Sequence, residues 1–253
     1  MMLKKISNVS STLIVNLYEG FYLPKIGDTS VIQEKISNKY NSNKLIDIAR
    51  DISKTIETEI LNESSHTFQP FGDSGSMLIQ ADLSLLNSAT LHLEESHITF
   101  HTYIEDILKN YLIVRLEFHI SSCSEANVYT SLLDIFQNNN NCNSLLPDLV
   151  SIDYLRRGAK FGGHSEDILN VDYDITDIKL KNIYHILSNK NFMSSSNTKN
   201  HVLLLNMKDM IDKLQTENSF LSIKSIHQFR SFLLRSYASE YDQSELIDLK
   251  YIK

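Results

Sequence analysis

Two histidines four residues apart, His97 and His101, are the first candidates for chemistry in this sequence. On a helix, that spacing would put both imidazoles on one face, as in many metal sites. The intervening Ile98, Thr99 and Phe100 favour a strand instead. On a strand the two histidines share a face but lie about 13 Å apart, at about 3.3 Å per residue. One metal ion cannot span that distance, so we predict no metal site and leave a structural role for both histidines open.

The two cysteines of the chain are too few for a disulfide framework. Cys142 lies in the run NNNNCN, which is typical of a loop, whereas Cys123 follows a predicted strand. A buried thiol is inert packing more often than a reactive group, so residue type and position alone assign Cys123 no role.

The elements that must position these residues follow from hydrophobic spacing. Leu112–Ile120 alternates apolar and polar residues, which indicates a half-buried strand. The remaining predictions are strands at Ser11–Tyr22, Gly75–Asp82, Ser96–Tyr103 and Leu149–Tyr154, and helices at Lys44–Leu61 and Val128–Phe136. This order, with few βαβ repeats, predicts an α+β fold in which an antiparallel sheet carries helices packed on one face, a two-layer sandwich.

The pattern becomes helical from about Asp167 onward. Helical spacing occurs at Asp177–Leu187, His201–Leu214 and Lys224–Tyr241. We therefore predict a core of residues 1–160 followed by an α-rich C-terminal extension of residues 161–253.

Composition excludes several classes of function. The chain is 42% hydrophobic and 22% charged, and no apolar run approaches the roughly 18 residues that a membrane span needs. A net charge of −7 without a Lys/Arg cluster argues against a nucleic-acid partner. The N-terminal segment has no small-residue cleavage site, so we expect a cytoplasmic protein with a small-molecule partner.

Three short motifs resemble those of a known family. The segment HLEESHITFHTYIED, residues 92–106, resembles the processing-site signature of the bacterial S-adenosylmethionine decarboxylase proenzymes. Upstream, FQPFGDS at residues 68–74 resembles the family's aromatic-x-Pro-x-Gly-x-Ser segment, and downstream ISSCS at residues 120–124 resembles its strand-end Ser/Thr-Cys-Gly. The order and spacing match, and weaker likeness at Tyr40–Leu45 and Ser151–Gly158 indicates the longer bacterial subgroup. Two positions differ, since Ile104 replaces a proline and Ser124 a glycine.

The resemblance implies an enzyme that decarboxylates S-adenosylmethionine for spermidine synthesis after cutting itself between Glu95 and Ser96. Ser96 would become a covalent pyruvoyl group, which forms a Schiff base with the substrate amine and withdraws electrons. His101 matches the family's processing base and Ser74 a serine that assists processing. Cys123 matches the proton donor of catalysis.

The resemblance also assigns substrate contacts and an assembly. Phe68 would stack on the adenine, and Glu105 would accept hydrogen bonds from the ribose hydroxyls. Strand alternation puts Ser96 and His101 on opposite faces, so we expect a turn or bulge to bring them together. The family implies a homo-oligomer of cleaved two-chain protomers.

Two other functions stay open. A pyruvoyl-dependent arginine or ornithine decarboxylase would have the same cofactor and a different substrate pocket. This alternative stays open because Ile104 and Ser124 depart from the family's motifs. A non-catalytic regulatory homologue is disfavoured by the joint presence of Ser74, Ser96, His101 and Cys123.

Overall fold

The computed structural model describes residues 10–23, 29–68, 72–81, 95–108, 110–122, 128–136, 145–157, 178–191 and 198–241. Within these ranges the strands are β1 Ser10–Tyr22, β2 Thr58–Thr67, β3 Asp73–Ala81, β4 Glu95–Leu108, β5 Tyr111–Ser122, β6 Leu149–Arg157, β7 Tyr184–Asn191 and β8 Thr198–Leu205. The helices are α1 Thr29–Lys39, α2 Ser42–Thr55, α3 Leu132–Phe136, α4 Ile178–Ile183, α5 Met207–Glu217 and α6 Ile223–Glu240, and a 3-10 helix at Val128–Ser131 precedes α3. Among these residues, no helix is both long and apolar enough to cross a bilayer.

All eight strands form one sheet in the order β2-β3-β4-β5-β1-β6-β8-β7. Every neighbouring pair is antiparallel. The predicted α+β class and antiparallel sheet are confirmed.

The face of the sheet that carries Leu13, Val15 and Leu17 of β1 is buried, and we call it the core face. The alternation predicted in β5 is confirmed, because its even-numbered residues from 112 to 120 pair with this row of β1 and are at most 1% exposed. Helix α2 lies over β2, β3 and β4, and the 3-10 helix lies over β1 and β5. Helix α2 and the 3-10 helix therefore cover the core face, as expected for the predicted two-layer arrangement.

The segment after residue 160 joins the same sheet. Strand β8 pairs with β6 of the core, and β7 forms the edge beyond it. The predicted helix at Lys224–Tyr241 is confirmed as α6. The predicted helix at His201–Leu214 is wrong in its first half, since residues 201–205 belong to β8 and α5 begins at Met207. An apolar run such as HVLLL cannot be assigned by periodicity when both of its faces are buried.

Helix α6 packs on the face of the sheet that α2 leaves uncovered, which we call the opposite face. The ring of Tyr237 contacts Tyr18 edge-on at 5.5 Å, and its hydroxyl lies 3.1 Å from Ser151 Oγ. Phe229 lies against Gly20, where a Cβ atom would stand 2.0 Å from the ring. Only a glycine lets β1 and α6 approach this closely. The extension thus adds a helix to the second side of the sheet.

Candidate active site

Four residues form a cross-strand row on the opposite face, which we call the polar row: His66, Ser74, His101 and Glu117. Ser74 of β3 pairs with His101 of β4, which pairs in turn with Glu117 of β5. His66 of β2 stands on the other side of Ser74. Adjacent strands lie about 4.8 Å apart, so the imidazole of His101 has a hydroxyl on one side and a carboxylate on the other. The row therefore places groups that can take up or release a proton on both sides of one imidazole.

Phe68 stands at the turn between β2 and β3. Its backbone N–H donates to the carbonyl of Gly72 at 2.7 Å, and Gly72 adopts φ +113°, which a residue with a Cβ rarely adopts. The next residue, Asp73, donates its N–H to Thr102 Oγ1 at 2.7 Å, which ties the turn to β4. The Phe68 ring is 48% exposed and contacts His66 edge-on at 4.8 Å. One aromatic face at this turn is therefore accessible for stacking.

Glu105 lies at an irregularity of β4, where the register with β5 shifts between Ile104 and Asp106. Its Oε1 accepts a 2.5 Å hydrogen bond from Arg115 Nε. A proline at position 104 would remove a backbone N–H donor, whereas Ile104 lets β4 continue to Leu108. Glu105 continues the alternation of His101 and Tyr103, so its carboxylate lies on the opposite face, the side that carries the polar row.

Arg115 links Glu105 to the polar row. Its Nη1 donates to Glu117 Oε2 at 2.7 Å and to Asn16 Oδ1 at 3.1 Å, and its guanidinium lies 4.3 Å from the centre of the Tyr103 ring. Burial lowers the pKa of Arg115, but the hydrogen bond and charge of Glu105 outweigh it and hold this pKa above its ordinary value. The arginine therefore stays charged and fixes both carboxylates.

Ser96 lies on the core face, away from the polar row. It pairs with Ile79 near the start of β4 and is 2% exposed. The pairing of β3 with β4 is regular from Ser96 to His101, so no bulge or turn lies between them. The expectation that one would bring the two residues together is wrong within a single chain. They face opposite sides of the sheet and stand about 17 Å apart along β4, at about 3.3 Å per residue.

Two further predicted residues fall partly or wholly outside the described part of the chain. The backbone of Glu95 pairs with Gln80, but residues 82–94 are not described. Cys123 is not described either, and β5 ends one residue before it at the buried Ser122. Their predicted roles stay predictions.

The predicted strand around His97 and His101 is confirmed, and with it the separation of the two histidines along β4. The ring of His97 instead contacts His119 of β5 edge-on at 5.2 Å. Partial burial and the neighbouring imidazole lower the pKa of His97, which keeps it neutral near pH 7. In the described ranges, no group of three or more His, Cys, Asp or Glu side chains is arranged to hold a metal ion.

Three residues of the opposite face were not predicted as site residues from the sequence: His66, Arg115 and Glu117. Arg115 and Glu117 are polar positions of the predicted strand Leu112–Ile120, and none of the three motifs includes them. The alternation of side chains along a strand could have identified two of them, because residues two apart on β5, such as Arg115 and Glu117, share a face. Their partners on β4 depend on register, which no local pattern determines.

No protein-family model matches the chain. Several curated proteins similar to it are named S-adenosylmethionine decarboxylase proenzyme. That of Clostridium botulinum (strain Eklund 17B / Type B) is 27% identical over 192 residues, which cover 68% of each chain. That of Geobacillus thermodenitrificans (strain NG80-2) is 27% identical over 186 residues, covering 68% of this chain and 67% of its own. That of Brevibacillus brevis is 25% identical over 202 residues, covering 72% of each.

A solved structure similar to this chain is the adenosylmethionine decarboxylase from Aquifex aeolicus. It is 13% identical with a TM-score of 0.29, over 64% of this chain and 98% of its own. The similarity to the curated relatives confirms the resemblance that the three motifs predicted.

Proposed function

We propose that this protein is a self-processing, pyruvoyl-dependent decarboxylase that converts S-adenosylmethionine to S-adenosylmethioninamine and carbon dioxide for spermidine synthesis. One observation carries the proposal: the processing motif lies on β4, and the neighbouring strand β3 aligns the motif-matched Ser74 with His101. The names of the curated relatives support the same reaction.

The self-processing reaction needs no reagent other than water. The Ser96 hydroxyl attacks the carbonyl carbon of Glu95, which turns the peptide bond into an ester and frees the Ser96 nitrogen as an amine. A base then removes the Ser96 α-proton, and the Glu95 carboxylate leaves as the ester C–O bond breaks. Hydrolysis of the resulting dehydroalanine takes up water and releases ammonia, which leaves a ketone at residue 96.

The proposed base is His101, with Ser74 beside it. Because Ser96 and His101 face opposite sides of one sheet, the reaction requires either a rearranged start of β4 or a second copy of the chain. A second copy would bring its polar row to the start of β4 of the first, and because Ser96 is 2% exposed, the side chains that cover it must move aside. The regular pairing of β4 with β3 favours this arrangement, and we therefore propose a homo-oligomer of cleaved protomers.

In catalysis, the pyruvoyl carbonyl supplies an electron sink for the pair of electrons released with carbon dioxide. Cys123 is the proposed donor that protonates the substrate carbon. The exposed Phe68 ring is the proposed stacking partner of the adenine. Arg115 holds Glu105 Oε1, so Oε2 is the oxygen proposed to accept from the ribose hydroxyls.

The alternative arginine or ornithine decarboxylase shares the processing chemistry and differs only in its substrate. An amino acid has no ring to stack on Phe68 and no diol for Glu105, so these two residues favour the nucleoside. A non-catalytic homologue would lack the cleavage.

Intact-mass spectrometry of the purified protein tests the proposal directly. We expect two chains, residues 1–95 and 96–253, the second lacking a reactive N-terminal amine and shifted in mass by borohydride reduction. Release of carbon dioxide from S-adenosylmethionine, arginine and ornithine then identifies the substrate. The matched control is Ser96→Ala, which should remain one chain without activity. A single unmodified mass for the folded wild type would contradict self-processing and leave the non-catalytic homologue.

A further inference from the structure

The core face is apolar in its middle and becomes polar where β4 begins. One row of this face crosses the sheet as Met77, Ile98, Ile120 and Leu13, all at most 1% exposed. The next row toward the start of β4 begins at the buried Ile79 of β3, and from β4 to β6 it is made of serines and an arginine. This polar part consists of Ser96, Ser122, Ser11 and Arg156, and we call it the terminal polar row.

Arg156 is the only cation of this row. It stands on β6, pairs with Ser11 of β1, and is 8% exposed. Its Nη2 atom is shielded from solvent and has no hydrogen-bond partner among the residues that the structure describes. The salt bridges among the described residues do not include Arg156.

A guanidinium nitrogen that is shielded from water and lacks an acceptor is costly, since burial removes its hydration without a compensating hydrogen bond. Buried arginines are therefore normally paired with an anion. A carboxylate fits best, because its two oxygens match the planar fork of the guanidinium. The serines of the terminal polar row give this end of the face a polar lining.

We propose that Arg156 binds a carboxylate at the end of the core face where Ser96 lies. Part of this inference rests on the proposed function, because that function supplies two sources of the carboxylate near Ser96. One is the carboxylate of S-adenosylmethionine. The other is the new C-terminal carboxylate of residue 95, which self-cleavage creates. Ser96 and Arg156 are three strand spacings apart, about 14 Å between Cα atoms, which a bound molecule or a released chain end can bridge.

Binding of a carboxylate by Arg156, whatever its source, is tested with sodium acetate on the uncleaved Ser96→Ala chain. Thermal denaturation is followed during the titration, with sodium chloride at equal ionic strength as reference. Acetate should raise the melting temperature of the Ser96→Ala chain and leave that of Ser96→Ala/Arg156→Met unchanged. Arg156→Lys keeps the charge and should respond weakly. The matched control is Arg235→Met, which removes an exposed arginine of α6 and should respond like the parent chain.

Two further measurements distinguish the sources. If the substrate carboxylate is the ligand, Arg156→Met in the Ser96→Ala background should weaken binding of S-adenosylmethionine by about ten- to a hundredfold, the range for a charged hydrogen bond. Binding of the decarboxylated product should not change. If the new chain end is the ligand, cleavage itself should raise the melting temperature of the wild type relative to Ser96→Ala, and Arg156→Met should abolish that gain.

The ligand-free stability of Arg156→Met separates a binding role from a structural one. Removing an unpaired buried charge should leave the melting temperature equal or higher, whereas a large fall would show that Arg156 has a structural partner and overturn the proposal. An equal response of the Arg156→Met and parent chains to acetate would overturn it as well. An uncleaved wild type would contradict the proposed function alone, because the acetate titration needs no cleavage.

Discussion

Substitution of Lys213 by Met should destabilise the protein strongly, because this lysine of α5 neutralises two carboxylates of the core. Its Nζ lies 2.6 Å from Glu19 Oε1 and 2.9 Å from Asp148 Oδ1. Both carboxylates are fully buried, and the lysine side chain is 9% exposed. Glu19 also binds Lys39 and the Tyr40 hydroxyl.

The expected loss in the free energy of unfolding depends on the partners that Glu19 and Asp148 keep after the substitution. Removing one partner of a buried ion pair costs about 3–5 kcal/mol. The lower end applies here, since Glu19 retains Lys39 and Tyr40 while Asp148 retains the backbone N–H of Gly20 at 2.7 Å. A loss of about 3 kcal/mol corresponds to a fall of roughly 6–12 °C in melting temperature for a chain of this size.

The loss of stability caused by Lys213→Met should increase as the pH rises. Burial raises the pKa of Asp148, as does the charge of Glu19, and Lys213 counteracts both. A carboxyl with a raised folded-state pKa contributes stability below its unfolded pKa, which it loses as pH rises through the folded value. Without Lys213 this pKa rises further. The Lys213→Met deficit should therefore be large at pH 8 and shrink toward pH 5.

Urea denaturation of the Ser96→Ala chain, with and without Lys213→Met, measures the free energy of unfolding without interference from cleavage. Lys208→Met removes an exposed lysine of the same helix and should stay within about 0.5 kcal/mol of the parent. Adding Asp148→Asn to Lys213→Met should recover part of the loss. A Lys213→Met protein within 1 kcal/mol of the parent at pH 8 would refute this account of the cluster.

Three further outcomes are expected. Cys123→Ala should cleave normally and lose most turnover at saturating S-adenosylmethionine, and undiminished carbon dioxide release would remove Cys123 from the mechanism. His101→Ala alone should remain uncleaved or stop at an ester that hydroxylamine splits, but co-expressed with Ser96→Ala it should cleave; intact masses that show no cleavage of the mixed oligomer would place the base in the same chain. Gly20→Ala should cost about 1–3 kcal/mol by overpacking against Phe229, and an unchanged urea midpoint would contradict the close approach of β1 and α6.

Where a single local rule dominates, sequence and structure agree. The sequence pattern predicts β5 correctly because one face of that strand is buried and the other is polar. Helix α2 is equally legible, with Asn41 accepting from the N–H of Lys44 at its start. The predicted end of this helix was wrong, since α2 ends at Thr55 and residues 58–61 begin the edge strand β2. Apolar residues of β2 continue the helical spacing by coincidence, and Glu57, at φ +55°, marks the actual change of direction.

The amino-acid sequence by itself determined the α+β class, most strands of the sheet and the motif that includes Ser96 and His101, because periodicity and short motifs are local properties. Tertiary structure decided which of these residues meet. Strand register set Ser74 beside His101 and sent Ser96 to the other face, and packing across the sheet brought Lys213 to Glu19. These contacts join residues distant in the chain, and their geometry is decided by burial of whole faces, which no short segment encodes.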